Sequence, residues 1–205
     1  LVCWHLLRYL RRKRALFRAA TISEIRVVKA KCPSCGFPML VRLRNGDGGV
    51  RCPHCLAGTT AMSLIMVLRE QVPDPTDIDV YELSTCGQFY EHLKSRFDSV
   101  VGSEFWPDVP CGEWKGGFQC QDVEKLTYAD EAFDVVTSSE VFEHVANDSA
   151  GFKEIRRVLK PGGLFVFSVP LRLKKKSEER ATLVDGRIKH LLPPEYHDDT
   201  LRGES

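Results

Sequence analysis

Residues 133–145 read FDVVTSSEVFEHV and residues 154–170 read EIRRVLKPGGLFVFSVP. The first stretch opens as an apolar strand, Phe133–Thr137, and closes in small polar residues, with Glu143 and His144 starting a helix. In the second, Phe152, Ile155, Val158 and Leu159 fall on one face of a helix. Pro161-Gly162-Gly163 is expected to stop that helix, because Pro cannot continue it and Gly accepts the left-handed turn. Leu164–Val169 then reads as another strand. Strand, helix and strand in this order form the repeating unit of a parallel α/β sheet.

The same alternation extends upstream. Asp79–Leu83 reads as a strand, Gln88–Phe97 as a helix, Ser99–Val101 as a strand, and Phe118–Gln121 as a further strand. Pro73, Asp74 and Pro75 mark the boundary before this α/β domain, which is assigned to residues 78–205. After Pro170 no clear strand pair is legible, so residues 171–205 are expected to be irregular and the sheet to lack its C-terminal antiparallel edge. The chain opens on Leu1 and not Met, which reads as a fragment or an incomplete gene model.

The front of the chain has a different character. Residues 1–60 hold twelve Lys/Arg against Glu24 and Asp47, a balance of +10, so the remainder carries −9 within the overall +1. Residues 1–27 are assigned as a basic helical segment. Either they pack as a solvated helix on the acidic body, or they meet an anionic partner such as nucleic acid. An apolar Leu1–Leu7 followed by basic residues is the reverse of a secretory signal. No apolar run approaches the roughly 18 residues of a membrane span.

Residues 28–60 contain Cys32-Pro-Ser-Cys35-Gly and Cys52-Pro-His-Cys55. Thiolates at i and i+3 grip one face of an ion, and two such knuckles complete a closed tetrahedral shell suited to structural zinc. Cys32, Cys35, Cys52 and Cys55 are the expected ligands, with His54 exposed within its knuckle. FPMLVRLRNGDGGVR between the pairs reads as strand, turn at 45–49, and strand. The module resembles a zinc ribbon. It lacks interleaved aromatic residues of the kind that make a base-stacking surface. Residues 61–77 are assigned as a helix, AMSLIMVLRE, followed by a linker. Four further cysteines are scattered, which fits a reducing, cytoplasmic setting and not a disulfide scaffold.

From Ile78 to Pro170 the chain resembles a class I S-adenosylmethionine-dependent methyltransferase, of the methyltransferase type 11 kind. The resemblance implies an α/β, Rossmann-like, mostly parallel sheet with flanking helices. It also implies a cofactor across the carboxyl ends of the strands. It places Glu82, Ser84 and Gly87 in the first cofactor loop, Glu104 at the ribose, Asp122 at the adenine, and Ser139 at the methionine portion. The first loop, Ser84-Thr85-Cys86-Gly87, departs from the family in having one glycine. His144, and His197 within Leu192-Pro193-Pro194-Glu195-Tyr196-His197, are the candidate catalytic bases. Each candidate also has a bland reading: Glu104 as a loop carboxylate, His144 in capping, His197 on a surface loop. The implied activity is methyl transfer to an unidentified acceptor, a small molecule or sugar-containing compound being favoured. The alternative is a non-catalytic zinc-ribbon binding module, for nucleic acid or protein, on a degenerate scaffold.

Overall fold

The computed structural model describes residues 25–43, 49–171, 178–184 and 187–193. Residues 1–24 of the expected basic helical segment, residues 45–48 of the turn expected at 45–49, and His197 lie outside these residues. The chain divides into two compact units: residues 1–58 with 172–205, and residues 59–171.

In the first unit, β1 (Ile25–Val28), β2 (Leu40–Leu43) and β3 (Val50–Arg51) form an antiparallel sheet in the order β1-β2-β3. The hairpin between the cysteine pairs is therefore present. Strand β1 corrects the helical assignment of residues 25–27: Val27 pairs opposite Val41 and Val28 opposite Leu40. Two β-branched residues in succession suit this extended backbone.

In the second unit, a six-stranded sheet runs β6-β7-β5-β4-β8-β9. Its strands are β4 (Asp79–Glu82), β5 (Ser99–Glu104), β6 (Trp114–Lys115), β7 (Phe118–Cys120), β8 (Phe133–Ser139) and β9 (Leu159–Ser168). All neighbouring pairs are parallel except β6 with β7. The first parallel strand, β4, lies between the second, β5, and the later β8. This is the reversal in strand order at which such sheets bind ligands.

Helix α1 (Thr59–Gln71), α2 (Gln88–Arg96) and α3 (Asp148–Val158) cover the sheet. On one face Leu64, Ile65 and Leu68 of α1, with Phe89 and Leu93 of α2, bury Val80, Val135 and Val166. On the other, Ile155 and Val158 of α3 pack with Tyr81, Phe133 and Val136. Successive strand residues thus face opposite layers, as strand geometry requires. Residues 61–77, read as helix and linker, contribute α1 to this core.

Three local expectations change. Glu143 and His144 belong to a short 3₁₀ turn, Phe142–His144, and α3 starts separately behind an Asn147 cap whose Oδ1 accepts from Ala150 N. Pro161-Gly162-Gly163 does not stop the helix. Helix α3 ends when Leu159 turns extended, and β9 runs on through the glycines with a register shift against β8. A Cβ on Gly163 would lie 2.9 Å from the carbonyl oxygens of Asp134 and Lys160, so only glycine fits that close backbone approach.

The expectation of irregular structure after Pro170 is overturned. β10 (Ala181–Val184) and β11 (Arg187–His190) form their own antiparallel hairpin, with Val184 opposite Arg187. The two residues between the strands are Asp185 and Gly186, a strong hairpin signal that outweighs the short and polar strands. Among the described residues β10 and β11 form a two-stranded sheet of their own, and the parallel sheet ends at β9.

Candidate functional site

The four cysteines converge. Their Sγ atoms all lie within 4.8 Å of one another, with Cys32 to Cys55 at 3.7 Å and Cys35 to Cys52 at 3.6 Å. A tetrahedron with metal–sulfur bonds of about 2.3 Å has edges of about 3.8 Å, so the cluster has the right size for zinc. The two knuckles repeat one hydrogen-bond pattern. Cys32 N donates to Phe37 O and Gly36 N to Cys32 O; Cys52 N donates to Ala57 O and Leu56 N to Cys52 O. The left-handed position is held by Gly36 in the first knuckle and by Leu56, at φ 69°, in the second. Burial pushes the Cys32 and Cys55 thiols up, while at Cys52 burial is outweighed by hydrogen bonds to its sulfur, Cys55 N among them, and the thiol is lowered. His54 is exposed.

The acidic candidates sit at the carboxyl ends of three adjacent parallel strands: Glu82 ends β4, Glu104 ends β5, and Asp122 lies two residues past β7. Their environments differ. Glu82 is 1% exposed and burial pushes its carboxyl up to about 8. Thr137 Oγ1 lies against Glu82 Oε2 and also 3.3 Å from the Tyr81 carbonyl oxygen. The Thr137 hydroxyl donates to the Glu82 carboxyl and is shared with the Tyr81 carbonyl oxygen. The nearby backbone N–H groups of Ser84 and Ser139 favour the charged form, against the larger effect of burial. Through Thr137, Glu82 joins the end of β4 to β8.

Glu104 is half-buried and engaged by Thr85, whose N and Oγ1 donate to its Oε1 at 2.8 and 2.6 Å. Thr85 reaches it by packing over Gly102, where a Cβ would come within 2.7 Å of Thr85 Cγ2 and of the Tyr90 ring. Thr85 was not singled out in the sequence, since nothing there signals a partner nineteen residues away.

Ser84 Oγ lies 3.4 Å from Cys86 N within the loop, and Gly87 caps α2 at φ 100°. Asp122 Oδ1 accepts from Glu124 N at 2.9 Å, closing its own turn. Ser139 pairs in register with Ser168 at the end of β8, and the neighbouring Ser138 Oγ is buried without a hydrogen-bond partner. His144 is exposed, its Nε2 3.8 Å from Glu143 Oε1. A groove of about 750 Å³, lined by α3 and residues 159–163, lies at the opposite, amino ends of the strands, away from these groups.

Strand order defines the fold class: the α/β unit is Rossmann-like, with a mostly parallel central sheet. Residues 83–167 match the family model described as a methyltransferase domain. The chain is 37% identical over 82 residues to a ubiquinone biosynthesis O-methyltransferase of Coxiella burnetii, covering 40% of this chain and 34% of that protein. It is 44% identical over 75 residues to the protein of that name from Cereibacter sphaeroides, covering 37% and 30%. The chain thus spans about a third of the length of the curated relatives it matches. A solved S-adenosylmethionine-dependent methyltransferase from Mesorhizobium loti aligns at 21% identity and a TM-score of 0.43, covering 63% of this chain and 64% of that one. Among the described residues, no helix is long and apolar enough to cross a membrane.

Proposed function

We propose that the α/β unit binds S-adenosylmethionine and transfers its methyl group to an oxygen of a small-molecule acceptor. The observation that carries this is the row of Glu82, Glu104 and Asp122 at successive strand ends within a segment matching the methyltransferase family. The O-methyltransferase names of the relatives favour an oxygen acceptor and a small molecule over a sugar-containing one.

The donor set fits the cofactor. Glu104 offers acceptor oxygens for a pair of ribose hydroxyls, and Asp122 an acceptor for an amino group. Ser84 and Gly87 lie in the first loop and Ser139 at the end of β8. Once bound, the cofactor supplies an electrophilic methyl group on a sulfonium. The chain's contribution is mainly positioning of the two reactants. His144 is the proposed acceptor of the hydroxyl proton, with His197 as the other candidate. Zinc on Cys32, Cys35, Cys52 and Cys55 is structural, because four protein ligands leave no open position. A reduced thiol set accords with a cytoplasmic location.

A second reading, a non-catalytic binding module on a methyltransferase scaffold, is favoured by one observation: Thr85 occupies Glu104. Calorimetric titration with S-adenosylmethionine and its demethylated product separates the two. Saturable binding of both supports the enzyme; absence of either heat supports the scaffold.

A further inference from the structure

The described residues of the cysteine module, 25–43 and 49–58, carry Arg26, Lys29, Lys31, Arg42 and Arg51 and no carboxylate. The register of β1 and β2 sets Arg26 directly opposite Arg42, and both are exposed. Like charges so placed destabilise an antiparallel pair, unless an anion lies across them. Lys29 and Lys31, also exposed, lead into the first knuckle. At the knuckles, the Phe37 ring stacks on the His54 ring, with centroids 5.4 Å apart and planes 7° from parallel. Phe37 is half-buried and His54 exposed, so the pair presents a flat imidazole backed by a phenyl ring. The two rings come from different knuckles, so the platform exists only when the cysteine cluster is closed.

We propose that this surface docks a single-stranded polynucleotide, its phosphates on Arg26, Arg42, Lys29 and Lys31 and one base stacked on the outer face of His54. Charge complementarity selects a polyanion. The sequence shows no interleaved aromatics, but the fold brings Phe37 and His54 together from separate knuckles, and the parallel pair adds what a simple polyanion does not use, a stacking face for an unpaired base. An acidic peptide would match the charges and leave the platform idle. Stacking accepts any base, so the preference is for single strands over a particular sequence. This inference goes beyond the methyl-transfer reading and is independent of whether the cofactor binds.

The test uses the zinc-loaded full chain and fluorescein-labelled twelve-nucleotide oligouridylate and oligothymidylate, with anisotropy followed at increasing salt. Both strands should bind, with log affinity falling against log salt at a slope of about −3 for some four phosphate contacts. Tighter binding of the uridylate would assign RNA as the source, and equal binding any single strand. Arg42→Glu should weaken binding about tenfold and flatten the slope. His54→Ala should weaken it about tenfold with the slope unchanged, and His54→Trp should restore or tighten it. Zinc content of each variant shows that the knuckles remain folded. Inorganic polyphosphate should bind wild type and His54→Ala equally. Absence of oligonucleotide binding at low salt overturns the proposal. So does equal oligonucleotide affinity in wild type and zinc-replete His54→Ala.

Discussion

Thr85 donates two hydrogen bonds, from N at 2.8 Å and from Oγ1 at 2.6 Å, to the same oxygen of Glu104. Glu104 is the residue assigned to the ribose, so the first loop satisfies in this structure an acceptor that a ligand would use. The loop has small side chains in place of glycines, and one of them has turned back onto the strand end.

Thr85→Val keeps the shape over Gly102 and removes one donor. S-adenosylmethionine should then bind roughly tenfold more tightly, since a ligand hydroxyl no longer competes with a charge-assisted hydrogen bond of about 1.5–3 kcal/mol. Glu104→Ala should weaken binding by about the same energy. Calorimetry on the three proteins checks both, and unchanged affinity in Glu104→Ala rules out the ribose assignment.

Glu82 makes stability depend on pH. Its folded carboxyl is held up at about 8, above its ordinary 4.5, by burial. Between those values the folded state binds more protons than the unfolded chain, so this group's contribution falls as pH rises through the window. Glu82→Gln should flatten that decline. Urea titrations at pH 5, 6.5 and 8 read it directly, and parallel slopes in both proteins would contradict the buried, protonated assignment.

Arg157, near the end of α3, donates to the carbonyl oxygens of Leu126 and Tyr128 and to Asp130 and Glu154. It fastens the segment after Asp122 to the helix. Arg157→Ala should cost about 2–3 kcal/mol, on the scale of two charge-assisted hydrogen bonds lost together. Arg157→Lys should recover only part of this, because an ammonium cannot reproduce the planar fork. Denaturant midpoints give both values, and a wild-type midpoint in Arg157→Ala would show that the network carries little.

One equivalent of zinc per chain is expected, bound by Cys32, Cys35, Cys52 and Cys55. Cys35→Ser should lose it, and a chelator should unfold the ribbon while leaving the α/β unit folded. Elemental analysis with circular dichroism tests this. Full zinc retention in Cys35→Ser would refute the ligand set.

Local pattern alone determined much of this protein. Alternating strands and helices from Ile78 to Pro170, and two cysteine pairs at knuckle spacing, are short-range features, and residues a few positions apart set them. The hairpin at Ala181–His190 is equally local, carried by its Asp-Gly pair although its strands are short and polar. Strand β1 was hidden for another reason: a four-residue strand exists only through its partner, and Val27 is 61% exposed. The glycines at 162 and 163 looked like a helix stop because their role, a close approach to the backbone of Asp134 and a shift in register, depends on β8 lying alongside. Tertiary structure decided the chemistry of each acid. Glu82 and Glu104 are both carboxylates at strand ends, yet burial pushes the pKa of one up and the other is met by Thr85. Desolvation and pairing act through space, between residues nineteen to fifty-five positions apart, and no reading of neighbours along the chain contains them.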